Sequence, residues 1–138
     1  MTTTTPVTGQ TLGVAYFAVR QNLINVLSDF DLTFEQSTLL NRLTQGAVKR
    51  AVLVGYAAHS LKADQAEIES AVDALVDAGL VSDTLALTEK GASMAADIRA
   101  RTTPLTASLF AGLPADDLAA TGRVLATLTE RANAALIS

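Results

Sequence analysis

The stretch Asp64-Gln65-Ala66-Glu67-Ile68-Glu69-Ser70-Ala71-Val72-Asp73-Ala74-Leu75-Val76-Asp77-Ala78-Gly79-Leu80-Val81-Ser82-Asp83-Thr84-Leu85-Ala86-Leu87-Thr88-Glu89-Lys90-Gly91 decides the fold. Its first part has the spacing of an amphipathic helix, with Ile68, Val72, Leu75 and Val76 on one face. Gly79 follows the last periodic residue, where a left-handed residue commonly ends a helix. Leu80-Val81 and Leu85-Ala86-Leu87 are two short β-compatible runs around the polar turn Ser82-Asp83-Thr84. Thr88 then offers a hydroxyl to cap a new helix, with Glu89 in its first turn. Helix, small hairpin and new helix in that order predict a winged helix.

Upstream, Leu61-Lys62-Ala63 reads as a turn before a helix that Asp64 caps. Val48 to Ser60 is an apolar helix, expected to bury Val48, Val52, Leu53, Tyr56 and Ala57. Gly55 inside it costs roughly 1 kcal/mol relative to alanine, and a close helix crossing would explain it. Before that, Thr33-Phe34-Glu35-Gln36 is a capping-box pattern opening a helix with Leu39, Leu40 and Leu43 inward, ending near Gly46. Asp31-Leu32 marks a break. From Thr11 to about Asp29 a further helix carries Leu12, Tyr16, Val19, Leu23 and Val26, with Phe30 just beyond. This narrow seam suits packing in the same domain or against a second subunit. Residues 1–10, rich in threonine, read as a flexible arm or one lying on a partner subunit.

Downstream, a helix from about Glu89 includes Met94, Ile98, Leu105, Leu109 and Phe110, with Pro104 predicting a kink or break at Thr102-Thr103. Gly112-Leu113-Pro114 ends it. The last helix opens on Asp116 and Asp117, favoured by the helix dipole, and presents Leu118, Leu125, Leu128, Ala132 and Leu136. No internal repeat is visible.

These features resemble the MarR family of bacterial transcriptional regulators. The resemblance rests on Val72-Asp73-Ala74-Leu75-Val76-Asp77-Ala78-Gly79-Leu80-Val81, the restart Leu87-Thr88-Glu89-Lys90-Gly91, the Leu-Thr-x-x-Gln string at Leu32, and Gly-Leu-x-x-x-Asp-Leu before the last helix. It covers about Leu12 to Leu136. It implies a mostly α fold with a small β-hairpin: a winged helix-turn-helix over 31–91, and dimerisation helices over 11–30 and 92–138. It further implies a homodimer whose lobes address successive major grooves of duplex DNA. A small phenolic or anionic effector would bind between dimer base and lobes, where Tyr16, Arg20, Tyr56 and His59 could line the space.

Composition bounds the chemistry. The 138 residues carry a net charge of −4, and the pI is near 4.8. Half the residues are apolar, much of that alanine and leucine, which favours helix. With no cysteine, disulfides, thiolate metal sites and thiol redox sensing are excluded. No signal-peptide pattern opens the chain, and no apolar run is long enough to span a bilayer, so a cytoplasmic protein is expected. One histidine, no phosphate-binding glycine loop and no nucleophile motif argue against an enzyme. No cofactor or metal is expected.

DNA binding needs cations for phosphates and polar side chains for bases. Lys49, Arg50 and Lys62 are the candidate phosphate contacts, with Lys90 nearby, and Gln65 and Ser70 the candidate base contacts. No lysine or arginine falls between Lys62 and Lys90. The family often has Ser or Thr followed by Arg near the positions of Glu67, Glu69 and Ser70, and an Asp-x-Arg-x-x-Arg wing. Here the helix is acidic and the wing short. These departures predict weak or absent operator binding by the homodimer, and leave open a second role: presenting carboxylates to a basic protein partner.

Overall fold

The computed structural model describes residues 5–137. The expected arm lies partly outside these residues, at 1–4. Six helices are assigned among the described residues: α1 (Gly9–Ser28), α2 (Phe34–Leu43), α3 (Arg50–Leu61), α4 (Gln65–Asp77), α5 (Glu89–Phe110) and α6 (Ala115–Ile137). The chain forms two compact units, one ending at Thr103 and one starting at Pro104.

The first unit is built around leucine and valine. Leu27 of α1, Leu39, Leu40 and Leu43 of α2, Leu53, Val54 and Ala57 of α3, and Ile68, Val72 and Leu75 of α4 form one core with Leu80, Val81, Leu85 and Ile98. The capping box at Thr33 forms as predicted: Gln36 N–H donates to Thr33 Oγ1, and Thr33 N–H donates to Gln36 Oε1. A second box, Thr8 with Thr11, starts α1 two residues earlier than expected. Asp31, at φ 57°, makes the break before α2.

Three expectations for α3 are corrected. The helix begins at Arg50 rather than Val48, and its inward face is Leu53, Val54 and Ala57. Val52 and Tyr56 are 56% and 45% exposed. An alanine- and valine-rich helix is apolar on nearly every side, so its buried face cannot be read from polarity alone. Gly55 faces open space, with nothing within 4 Å of a built Cβ, so no close crossing explains it.

The close approach is at Gly91 instead. A Cβ there would run into the Leu80 carbonyl oxygen. The first turn of α5 therefore lies directly on the backbone that follows α4. Thr88 ties this corner: its Oγ1 accepts from Gly91 N–H at 3.0 Å and donates to Gly79 O at 2.6 Å. Gly79 takes the predicted left-handed conformation, at φ 76°.

The expected hairpin is reduced among the described residues to one antiparallel bridge, Val81 with Leu87. Ser82 N–H to Ala86 O and Thr88 N–H to Leu80 O frame it. The ladder stops there because Leu85 is left-handed, at φ 61°, and Ala86 N–H turns to Ser82 Oγ. Burying the Leu85 side chain offsets the cost of that conformation.

In α1 the seam splits. Val26 and Leu27 are buried and Leu23 is partly so, whereas Tyr16 and Val19 are exposed. No break occurs at Thr102-Thr103: α5 continues through Pro104 to Phe110. In the second unit α6 buries none of its side chains, and Val124, Leu125, Leu128 and Leu136 are exposed.

Candidate nucleic-acid interface

α3 and α4 are joined by a tight turn. Lys62 is its pivot, left-handed at φ 52° and ψ 43°, and Ala63 N–H donates to Ala58 O. Two helices joined this way, both buried on their inner faces, form a helix-turn-helix, whose second helix is the one that enters a major groove. Ile68, Ala71, Val72 and Leu75 fix the inner face of α4. Gln65, Ala66, Glu67, Ser70, Asp73 and Asp77 are exposed. Asp64 occupies the cap position, but its side chain makes no capping bond.

The candidate cations differ in their availability. Arg50, the first residue of α3, reaches across to α4. Its Nη2 lies 2.9 Å from Glu69 Oε2 and 2.8 Å from Asp73 Oδ1. Nε donates to Glu69 Oε2 at 3.0 Å, and Nη2 also donates to the Glu69 carbonyl. The hydrogen bonds to Asp73 and then Glu69 raise the Arg50 pKa above its ordinary value, against partial desolvation. Lys62 Nζ folds back onto His59 O at 2.6 Å, and Lys90 Nζ onto Ala78 O at 3.0 Å. Each lysine thereby satisfies a carbonyl near a helix C-terminus. Lys49, exposed at the N-cap of α3, is the one of these four that makes no ion pair or side-chain hydrogen bond among the described residues.

The pairing of Arg50 was not anticipated from sequence. Its signal is the i, i+4 carboxylate pair Glu69 and Asp73, which places two acceptors side by side on one helix face. With those two engaged, Asp64, Glu67 and Asp77 remain on α4 without an ion pair among the described residues.

The residues suggested for an effector lie on α1 and α3. Tyr16 packs edge-on against Phe17, ring centroids 5.4 Å apart. The Arg20 guanidinium lies 4.8 Å above the Phe34 ring. Tyr56 and His59 are exposed on α3. Among the described residues no hydrogen bond, ion pair or ring contact joins the first two to the second two.

The fold has many solved counterparts. A MarR family transcriptional regulator from Silicibacter pomeroyi is 25% identical, with TM-score 0.71 over 86% of this chain and 85% of its own. The MarR family protein Rv2887 of Mycobacterium tuberculosis, solved in complex with DNA, is 22% identical, with TM-score 0.68 over 90% and 98%. The same protein has been solved with salicylic acid. MepR of S. aureus, solved with DNA, is 16% identical, with TM-score 0.74 over 91% and 96%. No curated protein matches the sequence. A model of a helix-turn-helix family matches residues 25–137. The chain belongs to that helix-turn-helix family, and its fold is that of the MarR transcriptional regulators.

Proposed function

We propose that the chain is a MarR-type transcriptional regulator that binds duplex DNA as a cytoplasmic homodimer. The observation that carries this reading is the helix-turn-helix of α3 and α4, with the outer face of α4 left uncovered. Two relatives of the same fold have been solved on DNA. In this reading Lys49, Arg50 and Lys62 address phosphates, while Gln65 and Ser70 address base edges. Residues 11–30 and 92–138 supply the dimer contact. The exposed Tyr16, Phe17 and Val19 of α1 and Leu125 and Leu128 of α6 are apolar surface of the kind a second subunit would cover. Among the described residues no helix is long and apolar enough to cross a membrane.

Affinity follows from charge. A duplex binder that neutralises about 6–10 phosphates loses 10³–10⁵ in affinity between 50 and 200 mM salt. Here two of the three candidate cations are already engaged within the protein, and α4 is acidic. The expected outcome is saturable binding to its own upstream DNA at low salt, with a shallow salt slope. Titration by fluorescence anisotropy across that salt range tests it. Nanomolar affinity at physiological salt would refute the weak-binding reading, and no selective binding even at low salt would remove DNA as the target.

A second reading is favoured by the unpaired Asp64, Glu67 and Asp77 on α4, with Asp83 exposed at the turn. These carboxylates suit a basic protein surface, such as that of a related regulator whose DNA binding they would antagonise. Co-purification of such a partner, lost at high salt, supports this reading. A small aromatic or anionic effector remains part of the first reading. Tyr16, Arg20, Tyr56 and His59 are its proposed contacts, brought together only once the dimer forms.

A further inference from the structure

Arg50 stands where a phosphate contact belongs. It opens the first helix of a helix-turn-helix, the helix that crosses the nucleic-acid backbone while the second enters the groove. Lys49 precedes it and is exposed. Yet its Nε and Nη2 donors are engaged from within, by two carboxylates and one backbone carbonyl of α4. A guanidinium recognises carboxylate and phosphate through the same forked donors. Glu69 and Asp73 therefore present to Arg50 the negative oxygens that a phosphodiester would present.

We propose that Glu69 and Asp73 are built-in competitors for Arg50, and that they hold the proposed DNA-binding activity down by occupying its phosphate contact. The proposal rests on the DNA-binding reading given above and specifies how that site is regulated. Three features carry it. The carboxylates are four residues apart on one helix face, so a single arginine spans both. The cluster is open to water: the side chains of Arg50, Glu69 and Asp73 are 39%, 40% and 65% exposed. Exposed pairs of this kind are weak, so a polyanion can displace them. Finally, Asp73 and Glu69 make no other side-chain bond among the described residues, so they serve no second partner that would explain their position.

The competition is separable from simple charge repulsion by a double-mutant cycle of charge-neutralising variants. E69Q/D73N removes two negative charges and also frees Arg50. R50Q removes the cation. The comparison that matters is the effect of R50Q in the two backgrounds. In the native background it is expected to weaken duplex affinity only about two- to threefold, because Arg50 must first be displaced from Glu69 and Asp73. In the E69Q/D73N background it is expected to weaken binding about tenfold or more. The salt slope of E69Q/D73N is expected to steepen by about 0.9 per freed arginine, and the triple variant to lose that increment. The probe is the same upstream duplex, titrated between 50 and 200 mM salt, with thermal melting of each variant as the check on folding. An equal effect of R50Q in both backgrounds overturns the proposal, since the gain would then be repulsion alone. No selective duplex binding by any of the four proteins overturns the DNA-binding reading itself, and the proposal with it.

Discussion

A single missing methyl group positions the corner between α4 and α5. At Gly91 any side chain would drive into the Leu80 carbonyl, which is backbone and cannot rotate away. Gly91→Ala is expected to lower stability by about 1–3 kcal/mol, the range for overpacking a filled site. Gly55 is the internal control. It lies in the middle of α3 with open space around it, so Gly55→Ala is expected to gain about 0.5–1 kcal/mol. Chemical denaturation of both variants tests the contrast, and a neutral Gly91→Ala would refute the account. Sequence reasoning placed the close approach at the wrong one of these two glycines. Local context explains the error: a glycine inside a helix attracts attention, whereas nothing local to Gly91 marks a close approach. Only the position of Leu80 in space distinguishes them. Arg50 is a similar case. Its type and its place at the start of α3 were legible, but its engagement with Glu69 and Asp73 depends on distances between helices.

Elements were legible where polarity alternates and obscure where it does not. α4 carries charged residues on every turn, so Ile68, Val72 and Leu75 stand out, and all three are buried. Likewise the Thr33 and Gln36 box fixed the start of α2 through a local bond pattern that needs no tertiary information. α3 gives no such contrast: Leu53 and Ala57 are inward as expected, but Val52 and Tyr56 are exposed and Val54 takes their place. For the turn after Val81, strand-compatible residues were present, but the left-handed Leu85 limits pairing to one bridge. Thr88 was read as a helix cap. It also binds the end of the preceding helix, through Gly79 O. Thr88→Val keeps the shape and removes both bonds, so it is expected to cost about 1–2 kcal/mol. Hydrogen exchange at the Gly91 amide should accelerate accordingly. Unchanged protection there would show that the hydroxyl is not the tie.

For the whole molecule, the informative quantity is apolar surface without a cover. In the first unit Val14, Tyr16, Phe17 and Val19 lie exposed along α1, and in the second Val124, Leu125, Leu128 and Leu136 along α6. Soluble monomers rarely leave such runs open. Sedimentation is expected to find a dimer, and Phe17→Glu or Leu128→Glu to shift it towards monomer. A native chain that is monomeric at micromolar concentration would refute the homodimer. The sequence already carried this hint in the α1 seam, where packing at home and packing on a partner were equally open. The structure divides the seam, burying Val26 beside Leu27 and leaving Tyr16 and Val19 outside.

The contact of Gly91 with Leu80 also bears on how this lineage can diversify. A position that admits no side chain cannot be tuned, so the corner is closed to adaptation, while Ala66 and Ser70 on the outer side of α4 carry small groups facing solvent. In the proposed DNA-binding reading, new target preferences would be written there. A saturation library scored for folding stability should favour glycine at the first position and show broad tolerance at the other two.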